Sequence, residues 1–370
     1  MRSRTPIFAA AALLSAGALS GCGGALPNAA AGGKENAVYA EIAALPKEKQ
    51  REKARELAKD EGGALTLYTS MTADIATPVA KAFERDTGIH VTVFRGNSET
   101  VLQRTLQESQ ARRAGADAVE TNFREMVALS DNKLLAKYDG SPLDKVEKTG
   151  RFATWTATRL NIFHPAWNTR LIKPGEEPTS WEELADPKYK GRITLEVSDS
   201  DWYENVTHYW LEHGKSQTEI DQLWKKIVAN SKVAKGHTTM MQFLTSGQTH
   251  MEAMNYTYIT TRSATKGAPV TFLPKSGKST VPAFPRPNGV GMLKSAQHPA
   301  SAWLFYDWML TEGQKELIKL HLTPSTKVPG DKSLDGLTLV PFDVKGLSHD
   351  QGTWDKKYDA LLRGVDSVGK

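Results

Sequence analysis

Between residues 64 and 122 the chain switches repeatedly between two periodicities, and that switching leaves few folds open. "ALTLYTS" (64–70) and "IHVTVFRG" (89–96) are strand-like, and "ADAVET" (116–121) is a third, shorter strand. Between them, "TADIATPVAKAFERDTG" (72–88) sets Ile75, Val79 and Phe83 on one helical face and stops at Gly88. "SETVLQRTLQESQARR" (98–113) is a second helical stretch, with Ser98 as its expected N-cap. Strand and helix in alternation require crossover connections, hence a largely parallel sheet and an α/β fold. Ligands of such sheets sit beyond the carboxyl ends of the strands. Those ends are 68–72, 95–99 and 119–122, rich in hydroxyl and amide groups, so Ser70, Met71, Thr72, Asn97, Ser98 and Asn122 are candidate ligand contacts.

A second unit starts with the long strand "TRLNIFHPAWNT" (158–169) and includes "KGHTTMMQFLTSGQ" (235–248) and "MEAMNYTYITT" (251–261). "APVTFLP" (268–274) reads as a strand leading back, and 289–317 as a strand followed by a strongly amphipathic helix. The first unit is left and later re-entered, which predicts two crossover strands with a cleft between two lobes. The expected division is 64–158 plus 275–335 for one lobe and 159–274 for the other, followed by a C-terminal segment, 336–370.

Within the second unit, "ITLEVSDSDWYENV" (193–206) runs from a strand through a polar turn into a helix. Unpaired N–H groups at a helix start favour an anion by roughly 0.3–1 kcal/mol. One carboxylate about 5 Å away opposes the same anion by about 3 kcal/mol at an effective dielectric near 20. Asp199 and Asp201, flanking Ser200, therefore favour a cationic or cation-accompanied guest if they face the cleft; as turn and cap residues they need not. Trp202 and Tyr203 are either ligand-stacking or core residues. His237 and Thr238 open a helix and are further candidates. Nothing forms a nucleophile–base–orienter set, a glycine-rich phosphate loop or a zinc spacing, so an enzyme, a structural metal and a cofactor are not expected. The residual enzymatic reading is a secreted hydrolase using Asp199 and Asp201 as an acid/base pair.

The N-terminus, "MRSRTPIFAAAALLSAGALSGCGG", has a basic start and an apolar run too short to span a bilayer permanently. Its end, "LSGC", resembles a bacterial lipobox, and Cys22 is the one cysteine of the chain. The expectation is a signal peptide over 1–21, lipidation of Cys22, a flexible tether over 22–36 and a mostly polar helical segment over 37–63. Such a protein is extracytoplasmic and anchored to the cell membrane. Loss of Arg2 and Arg4 lowers the net charge from +5 to about +3, and the basic residues are dispersed among acids, which argues against nucleic acid as a partner.

The order "LTLYTS…VAKAFERDTGIHVTV…SE…AD", then "SWEELADPKYKGRI", "NYTY" and "KSAQHPASAWLFYDWMLTEGQKEL", resembles the extracellular solute-binding proteins of ABC importers. Over about 57–320 the chain looks like the iron(III)-binding branch of the type II periplasmic-binding fold. The resemblance implies two α/β lobes hinged around an interlobe cleft, a monomer that delivers a small-molecule or metal-ion ligand to a membrane permease, and no catalysis. It also implies Tyr256 and Tyr258 as cleft residues; for a metal ligand such as iron(III), Tyr256 together with Asp199 and Asp201 of the acidic turn are the expected holders. The chain departs from the branch at "NYTY", where Thr257 separates the tyrosines, at Thr72, where relatives often have His, and at Asn122, where some have a carboxylate. A ligand-sensing surface lipoprotein has the same sequence features.

Overall fold

β1 (Ala64–Thr69) is flanked by β2 (His90–Arg95) and β3 (Ala118–Asn122), both parallel to it, in a computed structural model that describes residues 36–113, 115–341, 344, 346 and 350–368. The connections are α3 (Ala73–Thr87), capped by the left-handed Gly88, and α4 (Ser98–Gln110). Before them stand two short helices, α1 (Ala37–Ala43) and α2 (Lys47–Asp60). The expected N-cap of α4 shifts by one residue. Asn97, not Ser98, occupies the cap, and its side chain accepts from Thr100 N–H. After β3 come α5 (Phe123–Asp131) and the short β4 (Leu135–Ala136).

The second half repeats the theme. β5 (Thr156–Asn168) leads into β6 (Ile193–Glu196), α6 (Ser200–Glu212), α7 (Gln217–Ala229), β7 (Ser231–Ala234), α8 (His237–Ser246), β8 (Met251–Tyr256) and α9 (Thr257–Thr265). β6 is parallel to both β7 and β8. The segment 268–274 contributes only a two-residue strand, β9 (Val270–Thr271), on β5. The true return strand is β10 (Pro282–Leu293), twelve residues long. Its second part, from Gly289, is the strand expected there; the prolines of 282–287 hide the first part, since proline removes a ladder donor. They are tolerated because residues 284–287 have one strand neighbour, β5, before pairing with β3 begins at Asn288.

The main path of the sheet is therefore β2-β1-β3-β10-β5-β8-β6-β7, two parallel ends joined by two long antiparallel strands. Each long strand serves both ends. β10 meets β3 through residues 288–292 and β5 from Phe284 onward, while β5 meets β10 up to Phe163 and β8 from there. Register breaks at Asn288/Gly289 on the first pair and at His164/Ala166 on the second, where backbones can bend. A Cβ on Gly289 would lie 2.3 Å from the Trp155 ring, so only glycine fits there.

After β10 come α10 (Pro299–Met309) and α11 (Glu312–Lys319), then the two-residue strands β11 (Thr323–Pro324) and β12 (Thr338–Leu339). All eleven residues of α10 are buried, so the amphipathic character expected within 289–317 belongs to α11, which buries Gly313, Gln314 and Leu317 only. The outer side of α10 is covered by α2, which buries the small Ala54 and Ala58 and the amide of Gln50 along one narrow stripe. The C-terminal segment contributes α12 (Gln351–Leu362). It folds back onto α6, with Tyr358 stacked on Tyr203, Trp354 edge-on to the same ring, and the Tyr358 hydroxyl donating to Glu196 carbonyl (2.8 Å). No described helix is long and apolar enough to cross a membrane.

Candidate functional site

Four helices begin at one cavity of about 550 Å³ between the two ends of the sheet. From one end come the first turns of α4, at Asn97 and Ser98, and of α5, at Asn122. From the other come those of α6, at Asp199 and Ser200, and of α8, at His237. The start of α8 depends on Gly236, whose φ of 89° turns the chain sharply out of β7. Four helix N-termini thus face one space.

Side chains of both signs face it as well. Asp199 and Asp201 do not cap α6, as turn geometry alone would suggest; Asp199 makes no side-chain cap bond. Both instead meet Arg286 from β10, whose Nη1 donates to Asp201 at 3.0 Å and to Asp199 at 3.4 Å. The second Asp199 oxygen lies 2.8 Å from His237 Nε2. Burial pushes the Asp199 carboxyl up, but His237 and Arg286 outweigh it and hold it below the usual range. Burial likewise disfavours charge on Arg286, and Asp201 and Asp199 more than compensate. The guanidinium lies over the rings of Phe163 (4.7 Å) and Tyr256 (4.9 Å), and Tyr256 packs on His237 at 3.9 Å. The two aspartates, expected to be open to a cation, are thus already paired.

The remaining acids are less well compensated. Glu196 accepts from Ser198 N–H (2.5 Å) and Gly236 N–H (2.8 Å), tying the acidic turn to the start of α8. Burial, then Asp199, raises its carboxyl. Glu125 on α5 lines the cavity, and burial pushes its carboxyl up to about 7. Opposite, Arg124 reaches from α5 to Ser200 Oγ (2.8 Å), Asp355 Oδ1 (2.9 Å) and Glu204 Oε2 (3.4 Å), so one side chain joins α5, α6 and α12. Ser200 Oγ also donates to Asp355. Gln351, Asp355 and Asp359 of α12 complete the wall.

Eight candidates from the sequence meet here: Asn97, Ser98, Asn122, Asp199, Ser200, Asp201, His237 and Tyr256. Thr72, Thr238 and Tyr258 line a neighbouring cavity of about 480 Å³ between α3, α8 and α9, where Arg262 pairs with Asp74. The Tyr256 and Tyr258 rings stack at 5.9 Å, one belonging to each cavity. Ser70 and Met71 line neither; the Met71 side chain is core and its carbonyl accepts from Arg95 Nε. Trp202 is core too, edge-on to Trp181 and Trp224. Among the described residues no group of three or more His, Cys, Asp or Glu is arranged to hold a metal ion. Asp199, Asp201 and Tyr256 line the same cavity, but the cation that contacts both aspartates is Arg286. Cys22 lies outside the described residues. Arg124, Glu125, Arg286 and the α12 acids escaped the sequence reading; isolated charges in irregular or unassigned stretches carry no local signal.

A profile of the bacterial extracellular solute-binding protein family matches residues 79–329. The Fe(3+)-binding periplasmic protein of Serratia marcescens is 26% identical over 275 residues, covering 72% of this chain and 79% of that protein. Iron-bound HitA from Pseudomonas aeruginosa superposes with a TM-score of 0.66 at 26% identity, covering 80% of this chain and 99% of that one. AfuA from Actinobacillus pleuropneumoniae, with fructose-6-phosphate bound, superposes with the same TM-score of 0.66 at 21% identity, covering 82% and 99%.

Proposed function

We propose that this chain, which belongs to the bacterial extracellular solute-binding proteins, captures a small solute in the cavity between its lobes and hands it to the membrane permease of an ABC importer. The observation that carries this is the meeting of four helix N-termini and oppositely charged side chains, drawn from both ends of the sheet, at one cavity. A site assembled from two bodies is completed when they approach, which couples capture to a change of shape that a permease can read. The division we adopt is 64–158 with 275–335 against 159–274, hinged where β5 and β10 change partners.

The cargo we propose is iron(III) with an accompanying anion. Tyr256 and the carboxylates supply hard oxygen donors, while the helix N-termini and arginines suit the anion. Relatives from Serratia and Pseudomonas carry iron in their names, at about a quarter identity. Cys22 is proposed as the lipid anchor that keeps the protein at the outer face of the cell membrane. Native mass spectrometry of protein purified without refolding tests the cargo, followed by calorimetry of the emptied protein with ferric citrate, divalent cations, polyamines and phosphate. Retained iron with citrate-type anions is expected. Tight phosphate binding without metal, unchanged in Asp199→Asn and Asp201→Asn, overturns the assignment.

A further inference from the structure

We infer that Arg286 is a built-in counter-cation that closes the Asp199–Asp201 pair to bare metal ions, and so determines what form of cargo the cleft accepts. The inference rests on the solute-binding reading of this cavity. Asp199 and Asp201 stand two residues apart on an oxygen-rich turn beside Tyr256, a natural seat for a hard cation. The seat is taken. Arg286 Nη1 contacts both carboxylates, and its guanidinium is held in that place by the rings of Phe163 and Tyr256.

The holding is built from the backbone outward. Arg286 lies between Pro285 and Pro287, which fix φ on both sides, and pairs in register with Asn161 of β5. It therefore issues from the crossover strand with little freedom to withdraw. Its side chain is 6% exposed, so solvent does little to weaken the pairing. A second cation at the same carboxylates would meet an unscreened like charge within a few ångströms. A metal that arrives with its own anionic ligands presents no such repulsion. Those ligands can turn to Arg286 Nε, which is buried and has no partner among the described residues. The other Asp199 oxygen is occupied as well, with His237 Nε2 2.8 Å away.

Terbium(III) is a suitable probe: a bare hard cation whose emission is sensitised by nearby tyrosine and tryptophan. The titration uses emptied full-length protein, excited in the aromatic band. The wild type should give no saturable emission that depends on Asp199 and Asp201, shown by identical titrations of the Asp199→Asn/Asp201→Asn variant. Arg286→Met, close in volume and uncharged, should gain saturable emission about a hundredfold tighter than any in the wild type. Adding Asp199→Asn and Asp201→Asn should remove the gain, and Arg286→Lys should not show it. Micromolar terbium binding by the wild type that the double asparagine variant loses overturns the inference, and it needs no arginine variant to fold. A folded Arg286→Met, by circular dichroism, that gains nothing overturns it equally. Cargo found in the native protein beside either result would refute the role of Arg286 alone. Absence of any cargo or calorimetric ligand, with the terbium pattern as expected, would refute the solute-binding reading alone.

Discussion

Replacing Arg124 with Met should open the ligand-free protein. The side chain reaches from α5 to Ser200 and Glu204 of α6 and Asp355 of α12; on the division proposed above α5 and α6 belong to different lobes, so these contacts should form only when the cleft is closed. The charged hydrogen bond to Ser200 is buried, and bonds of that kind contribute roughly 1.5–3 kcal/mol. Asp355 is 45% exposed, which limits its pair to at most about 1 kcal/mol. Glu204 adds little: burial raises its carboxyl to about 8, so near neutrality much of it is uncharged, and the contact is long at 3.4 Å. The sum is about 1.5–4 kcal/mol, which moves the closed-to-open ratio by roughly 10- to 900-fold. Methionine keeps most of the packed stem, so the fold should hold. Small-angle scattering without ligand should show a larger radius of gyration for the variant. Ferric citrate affinity should fall by a similar factor, because a binding-competent state that is rarer costs affinity in proportion. Scattering curves that superpose, with affinity unchanged, would show that the clasp is energetically silent and would remove it from the closing mechanism.

Glu125, titrating near 7 at the cavity wall, should make cation-bearing cargo bind more weakly as pH falls from 8 to 6; calorimetry across that range should show the slope, and Glu125→Gln should flatten it. Glu125 and Glu204 both have raised folded-state values, so each contributes stability that is full below about 4.5 and is lost as pH rises through about 7 and 8. Glu204→Gln should accordingly raise the melting temperature at pH 8 relative to pH 5, and a melting profile parallel to wild type would refute this. Trp202→Ala should cost about 3–5 kcal/mol in denaturant unfolding, because the ring is fully buried among Trp181 and Trp224. Cys22→Ala should release the protein to the medium or leave it unprocessed; mature protein that still fractionates with membranes would contradict lipid anchoring.

The first parallel end of the sheet was legible because β1, α3, β2 and α4 announce themselves through local periodicity and a glycine stop at Gly88. The first part of β10 was not, because the tolerance of Pro285 and Pro287 comes from which neighbours the strand lacks, a property of the assembled sheet. The burial of α10 depends likewise on α2, some 240 residues earlier, and no window on α10 contains that information. The acidic turn was found, but its partner Arg286, 85 residues downstream of Asp201, was not. Local sequence located the starts of α4, α6 and α8 but not of α5; the charges that balance the cavity came from elements brought there by tertiary folding.

The placement of α12 bears on how such a protein reaches its working state. A chain exported N-terminus first delivers residues 351–359 after the rest of the cavity lining, and until then Arg124 lacks Asp355 and the cavity lacks one wall. Cargo therefore cannot be enclosed by a half-translocated molecule. The same wall lies beyond the span shared with the family at large, 79–329. Mutation in this tail can accordingly alter what the cleft prefers while the hinge strands and the lobes they join are left untouched.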